Sequence, residues 1–164
     1  MKYKTCSFTG HRILPKENLN RITKKTKNEI ERLIGIGVEN FISGGAIGFD
    51  TLCGKLVLEL KENYKNIRLI MALPCLNQDK YWSDKQKAEY KNMLEQADKI
   101  IYVSKDYHNG CMLKRNRYMV DNSTYIISYC TKAFGGTYYT TKYALDNKKN
   151  VIHIKKIIQV FATL

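Results

Sequence analysis

Several features that mark common classes of protein are missing from this sequence of 164 residues. No apolar run approaches the ~20 residues that a membrane-spanning helix needs. The amino-terminal residues lack the charged-then-apolar pattern of a secretory signal. Repeats, low-complexity stretches and Pro/Ser-rich linkers are absent too, and the chain holds two prolines. We therefore expect a cytoplasmic protein without membrane contact, with one domain at 1–154 and an extension at 155–164 whose structure the sequence leaves open.

Paired metal or disulfide spacings are also lacking. The cysteines are five, and no two of them form a C-x-x-C pair. Such spacing argues against a zinc site or a disulfide framework and favours reduced thiols. Any one of them could be a nucleophile, but a buried thiol without a chemical role is the favoured interpretation. His108 and His153 show no metal-ligand spacing either, and we predict no cofactor. The cysteines are Cys6, Cys53, Cys75, Cys111 and Cys130.

Acidic residues are scarce beside basic ones, with 15 Asp and Glu against 28 Lys and Arg, a net charge of +13. The lysines arrive singly along predicted helices, where they solvate outer faces. The charge assists the approach of any anion but does not select one. Solvation is the favoured explanation, and a dedicated nucleic-acid groove is the alternative.

What the sequence does contain is an alternation of short apolar runs with longer amphipathic stretches. Strands joined through helices imply right-handed crossovers, so we predict an α/β protein whose mainly parallel sheet carries helices on both faces. The loops that follow the strands then meet at one edge of the sheet, where ligands of such folds bind. The predicted strands are 4–8, 39–43, 67–73, 99–104, 124–129 and 150–154.

The helices follow from the spacing of apolar residues. Residues 83–97 and 112–121 are predicted to be helical, and a helix opens after each of two glycine-rich segments. The helix that begins after Pro15 is expected to turn one face inward, made of Leu19, Ile22, Thr26, Ile30 and Leu33.

The first glycine-rich segment, "SGGAIGFD" (43–50), lies between a predicted strand and a predicted helix. Free amides and the positive end of a helix dipole favour an anion there, so we expect the amides of Gly44 and Gly45 to face one. The segment is neither G-x-G-x-x-G nor a P-loop with its Lys-Ser/Thr. Asp50 would accept bonds from a ribose hydroxyl or from backbone amides. A tight turn capped by Asp50 is the structural alternative.

The second segment, "FGGT" (134–137), repeats this arrangement after the fifth predicted strand. Thr137 and Thr140 add hydroxyl groups to it. Alone it is weak, because paired glycines often just end a strand. Two glycine-rich loops on one sheet edge favour a two-ended ligand such as a nucleotide.

Polar side chains in the remaining loops complete the candidate site. His11 is a candidate acid, base or hydrogen-bonding group, and Arg12 a candidate phosphate clamp near the switch point of the sheet. Arg115 and Asn116 open a basic helix directly after another loop, although such a face is often merely solvated. Trp82 either stacks on a base or packs against the protein.

These segments together resemble a known family. "TGHR", "SGGAIGFD", "LPC", the Trp82 segment, "RNRYMVD" and "FGGTYYTTKYA", in this order and spacing, resemble the YpsA-like family of unknown function in the SLOG superfamily. That superfamily includes DNA-processing protein A and the LOG-type phosphoribohydrolases. The resemblance covers 3–154 and implies a Rossmann-like, doubly wound fold with a pocket for nucleotide-derived ligands. The binding positions it implies are Gly10, His11, Arg12, Ser43, Gly44, Gly45, Gly48, Asp50, Gly135, Gly136 and Thr137.

The resemblance leaves several functions open, because the superfamily mixes enzymes, ligand sensors and DNA binders. We expect a sensor or regulator that binds a nucleotide or a nucleotide-derived small molecule. Its oligomeric state is left open between a monomer and a homo-oligomer. The first alternative is a hydrolase of an N-glycosidic bond in such a ligand. The second is a single-stranded nucleic-acid binder.

The enzyme alternative is weakened at the second glycine-rich loop. LOG-type enzymes carry P-G-G-x-G-T-x-x-E there, whereas "FGGTYYTTK" keeps Gly135 and Gly136 but places Lys142 at the glutamate. A lysine opposes positive charge that develops on a sugar. The remaining catalytic candidates are His11 and Asp50, and the helix dipole should lower the pKa of Asp50. The sequence therefore predicts no LOG-type release of a base.

Overall fold

The computed structural model describes residues 2–155, so the predicted extension lies outside the described residues except for Lys155. Six strands and five α-helices alternate within this range. The strands are β1 (Thr5–Gly10), β2 (Asn40–Ser43), β3 (Arg68–Leu73), β4 (Lys99–Tyr102), β5 (Tyr125–Tyr129) and β6 (Asn150–His153). The helices are α1 (Leu19–Gly35), α2 (Phe49–Leu60), α3 (Asp84–Gln96), α4 (Cys111–Asp121) and α5 (Gly136–Asp146).

The sheet is entirely parallel, in the order β4-β3-β2-β1-β5-β6, which confirms the predicted fold class. Strand β1 lies between β2, its successor in the chain, and β5, which follows much later. The chain reverses the direction in which it adds strands at this point. The switch point therefore lies between β1 and β5, where Gly10 pairs with Tyr129.

Helices cover both faces of the sheet. Helices α1, α2 and α3 pack side by side on one face over the main apolar core, which includes Phe41, Phe49 and Leu69. Helices α4 and α5 pack together on the other face, over two smaller clusters that include Ile42, Met119 and Ile126. Burial of these apolar side chains is the main source of the stability of the fold.

The inward face of α1 agrees with the prediction except at its first residue. Ile22, Thr26, Ile30 and Leu33 are buried. The prediction for Leu19 is wrong, because it begins the helix at the periphery of the apolar face and stays 40% exposed.

The cysteines behave as the sequence predicts, since all five are buried. Strand β4 forms one edge of the sheet, so its Ile100 and Tyr102 remain exposed although the strand itself is apolar. In the described part of the chain, no helix combines the length and the apolar character that crossing a bilayer requires.

Candidate functional site

The carboxyl ends of the strands carry a cleft of about 620 Å³, which we call the edge cleft. Its walls come from the loops that follow β1, β2, β3 and β4, together with the start of α4, so four of the five predicted loops converge. Aromatic and basic side chains share this cleft. The lining residues are Arg12, Ile47, Cys75, Leu76, Asn77, Gln78, Lys80, Tyr81, Trp82, Lys105, Asp106, Tyr107 and Met112.

The glycine-rich loop after β2 closes on the protein's own carboxylate. Asp50 is 8% exposed, and its Oδ2 accepts a hydrogen bond from the amide of Ala46 at 3.4 Å. The amide of Gly44 also donates to Asp50, and that of Gly45 donates to Ser43 Oγ at 3.2 Å. The expectation that the amides of Gly44 and Gly45 face an external anion is therefore wrong. An internal anion, the Asp50 carboxylate, holds the loop, as in the structural alternative.

Asp50 differs from the prediction in its protonation as well. Burial raises its pKa to about 6, against the lowering influence of the Arg115 guanidinium and the two loop amides. The predicted lowering by the helix dipole is thus outweighed, because removing a carboxylate from water costs more than these partners return. Near neutral pH a small fraction of Asp50 is protonated.

Arg115 holds the glycine-rich loop by hydrogen bonding to its backbone. It is 3% exposed, and its guanidinium donates to the carbonyl oxygen of Gly44 and, at 3.3 Å, to that of Ala72. Asn116 orients the guanidinium by accepting from its Nε at 2.9 Å. A β-carbon at Gly44 would lie 2.6 Å from the Arg115 nitrogen, so the glycine is required by close packing. Arg115 and Asn116 therefore support the site from inside the protein and are not a solvated basic face.

One residue of this network, Gln78, was not predicted. Gln78 Nε2 donates to the Gly44 carbonyl at 3.1 Å and to the Tyr90 hydroxyl at 3.0 Å. Gln78 is buried although it stands in a polar segment of sequence. Its place in a loop after a strand was the available signal, but nothing in the sequence shows that this side chain turns inward.

The aromatic side chains of the edge cleft fall into two groups. Trp82 is half-buried and meets Tyr90 edge-on, with ring centroids 5.2 Å apart. It therefore has the packing role that the sequence offered, and it also lines the cleft, where stacking on a base stays a prediction. Tyr81 and Tyr107 are 89% and 74% exposed, so their rings are available to a ligand.

His11 joins the two sides of the switch point. Its Nε2 accepts a hydrogen bond from the Thr131 amide at 2.8 Å, so the proton of the neutral ring is on Nδ1. Burial and the nearby Lys132 lower the pKa of His11. The ring is thus a neutral acceptor at physiological pH, which is the hydrogen-bonding role among those predicted.

Glycines at the end of β1 and the start of α2 allow these segments to touch. A β-carbon at Gly10 would overlap the ring of Phe49, and one at Gly48 would lie 2.3 Å from the Arg12 carbonyl oxygen. The Phe49 amide donates to the His11 carbonyl oxygen at 3.0 Å. This contact fixes the backbone of Arg12 at the mouth of the edge cleft.

The second glycine-rich loop stands apart from the edge cleft. Gly135 and Gly136 are exposed at the start of α5, and none of the described residues that line the cleft comes from this loop. The Thr140 hydroxyl donates back to the Gly136 carbonyl oxygen at 2.8 Å and is buried. Thr137 is partly exposed. Lys142 pairs with Asp146 at 2.7 Å on the surface of α5.

Comparison with known families gives a match over most of the chain. The YpsA model, described as YspA SLOG family, matches residues 14–161. An uncharacterized SPbeta prophage-derived protein, YoqJ of Bacillus subtilis, is 37% identical over 116 residues, which cover 63% of this chain and 68% of that protein. A UPF0398 protein of Brevibacillus brevis is 30% identical over 108 residues, 65% of this chain and 57% of that protein.

Two solved structures share the fold. DNA processing protein A from Streptococcus pneumoniae superposes with a TM-score of 0.66 at 15% identity, over 98% of this chain and 54% of that one. DNA processing protein A from Helicobacter pylori, described for its single-stranded DNA binding mode, gives a TM-score of 0.65 at 16% identity, over 94% and 66%. This chain therefore spans between about half and two thirds of those longer proteins.

Proposed function

The chain belongs to the YspA SLOG family, and from this premise we propose that it binds a nucleotide or a nucleotide-derived small molecule in the edge cleft as a sensor or regulator. The observation that carries the proposal is the joint lining of the cleft by aromatic rings and cations. Trp82, Tyr81 and Tyr107 offer faces on which a base stacks, and Arg12 and Lys105 offer charges for phosphate.

The predicted binding residues divide between contact and support in this proposal. Arg12 and Trp82 contact the ligand. Behind them lie residues that shape the wall of the cleft, namely Gly10, His11, Ser43, Gly44, Gly45, Gly48, Asp50, Arg115 and Asn116. In this proposal the start of α5 holds the second end of a longer ligand that crosses the switch point. The residues there are Gly135, Gly136, Thr137 and Thr140.

A sensor fits the site better than a glycosidic-bond hydrolase. A carboxyl group with a pKa of about 6 is typical of a catalytic acid, and Asp50 has that value. Asp50 is nevertheless bonded inside its own loop and does not line the edge cleft. Lys142, at the position of the LOG glutamate, is engaged with Asp146 on the surface.

The second candidate function is binding of single-stranded nucleic acid. The net charge of +13 and the exposed Tyr81 and Tyr107 rings favour it, since such binders combine cations with stacking rings. The likeness to DNA processing protein A is one of fold, at 15% and 16% identity. We rank this function second because the cleft of about 620 Å³ has a size that suits a small molecule.

The first prediction tests the edge cleft with exposed residues, whose substitution leaves the core intact. In a thermal-shift screen with AMP, ADP-ribose and cyclic nucleotides, at least one compound should raise the melting temperature. Tyr81→Ala and Lys105→Ala should each weaken its binding about tenfold. The first removes a stacked ring, which contributes about 1–3 kcal/mol, and the second removes a charge that pairs with phosphate.

Matched controls lie near the amino ends of the strands, because Tyr3 precedes β1 and Lys65 precedes β3. Tyr3→Ala removes an exposed tyrosine and Lys65→Ala an exposed lysine, and both should bind as the native protein does. Equal loss of affinity in cleft and control variants would contradict a site in the edge cleft. Binding of oligonucleotides without binding of any mononucleotide would place the second candidate first.

A further inference from the structure

Two of the five cysteines lie side by side at the edge cleft, one in its wall and one buried directly behind it. Cys75 follows β3 and lines the cleft, and Cys111 is the first residue of α4. Both are free thiols, and the two side chains interact where the loop after β3 meets the start of α4. Residues far apart in the sequence thus bring two sulfur atoms together beside a site that small molecules can enter.

Hydrogen bonds on both sides hold this pair in place. Arg115, one helical turn after Cys111, donates to the carbonyl oxygen of Ala72 at the end of β3 at 3.3 Å. The loops after β3 and β4 are joined by a bond of 3.3 Å from the Leu76 amide to the Lys105 carbonyl oxygen. The closeness of the two thiols is therefore part of the fold.

Another pair of cysteines in the chain gives an internal comparison. Cys6 and Cys53 also interact electrostatically, but both are completely buried in the main core. Cys75, in contrast, retains 2% exposure and belongs to the wall of the cleft. Of these two pairs, only Cys75 and Cys111 offer a small oxidant a route from solvent, through Cys75.

We propose that Cys75 and Cys111 form a redox-active dithiol, which hydrogen peroxide converts to an intramolecular disulfide. With peroxide, the Cys75 thiol loses its proton to water and its sulfur attacks one peroxide oxygen. The O–O bond breaks, giving a sulfenic acid on Cys75 and one water. The Cys111 sulfur then attacks the sulfenic sulfur, and a second water leaves as the S–S bond forms. Two thiols and one peroxide give one disulfide and two waters.

The disulfide would change the edge cleft. It would join the loop after β3 covalently to the first turn of α4, where Cys75 and Met112 line the cleft. Opening of the cleft by separation of these elements would then be prevented. Burial raises the pKa of the Cys75 thiol above its ordinary value, so oxidation should accelerate as the pH rises above neutral.

The experiment uses the full chain in its native state. The protein is treated with hydrogen peroxide, free thiols are alkylated after denaturation, and peptides are mapped by mass spectrometry. We expect one disulfide, between the peptides of Cys75 and Cys111, and three alkylated cysteines. Dithiothreitol should restore all five thiols, and Cys75→Ser and Cys111→Ser should each abolish the link.

Cys130→Ser is the matched control, because a serine can keep the hydrogen bond that Cys130 donates to the Lys132 carbonyl oxygen. This variant should form the disulfide at the native rate. Five free thiols after oxidation, or a link between other cysteines, would overturn the proposal. Should a serine variant fail to fold, the position of the link in the native protein decides the question without it.

Discussion

At the scale of single residues, Asp50 shows how one buried carboxyl group organises a loop. It accepts from the Gly44 and Ala46 amides and lies near Arg115, yet burial still raises its pKa to about 6. The folded protein therefore holds a proton at Asp50 more firmly than the unfolded chain does. The stability that this proton provides is present below the usual pKa of 3.8 and is lost as the pH rises through about 6.

This gives a prediction for Asp50→Asn, which replaces the group by an amide that does not titrate. The free energy of unfolding of the native protein, relative to that of the variant, should fall by up to about 1.4 kcal/mol per pH unit between about pH 4 and 6. Chemical denaturation of both proteins at a series of pH values measures the difference. Parallel curves for the two proteins would mean that Asp50 titrates normally.

At the scale of elements, the turn between β2 and α2 depends on a backbone contact with the end of β1. Gly48 has φ +83°, and a β-carbon at Gly48 would lie 2.3 Å from the Arg12 carbonyl oxygen, which is too close. Gly37, after α1, has φ +99° with open space around it. Both glycines have a positive φ, which disfavours side chains, and they differ in steric room.

We predict that Gly48→Ala destabilises the protein by about 2–3 kcal/mol and Gly37→Ala by about 1 kcal/mol. The excess at Gly48 would come from displacement of the Arg12 backbone. Thermal and chemical denaturation of the two variants measure it. Equal losses in the two variants would show that the contact between Gly48 and Arg12 adds nothing to stability.

The elements themselves were largely predictable, because their signals are local. The spacing of Ile22, Thr26, Ile30 and Leu33 shows the buried face of α1, and the apolar run at β3 shows a buried strand. The convergence of the four loops after β1, β2, β3 and β4 followed from parallel topology, whereas the loop after β5 stands apart from them. The patterns are less reliable at the ends of elements. Helical spacing places Leu19 on the buried face of α1, but Leu19 is exposed at the start of the helix.

The interior of the site was not predictable in the same way. Whether the Asp50 carboxylate faces a ligand or its own loop depends on Arg115, which lies on another helix. Gln78 resembles any solvent-exposed loop glutamine until Gly44 and Tyr90 are placed beside it. Contacts between residues far apart in sequence decide which polar groups turn inward, and no spacing pattern records them.

At the scale of the whole molecule, the net charge of +13 acts through long-range attraction of anions. We predict that a fluorescent oligo(dT) binds weakly at low salt and that binding is lost at about 0.15 M salt, because displaced counterions supply most of the free energy. Fluorescence anisotropy over a salt series measures this. Submicromolar affinity that survives at that ionic strength would make nucleic acid the main ligand.

The order of the strands also determines when each side of the sheet becomes covered during synthesis. Helices α1, α2 and α3 come from the first part of the chain, whereas α4 and α5 follow four completed strands. A nascent chain that has reached only the end of β4 has most of the hydrophobic layer under α1, α2 and α3, although Ile127, Tyr129 and Ile154 are still missing from it. The other face of the sheet is bare, and Ile42 and Ala72 there lack their later contact with Met119. Strand β1 meanwhile has an open side until β5 arrives. The partly synthesised protein thus exposes an apolar face of the sheet, which α4 and α5 later cover.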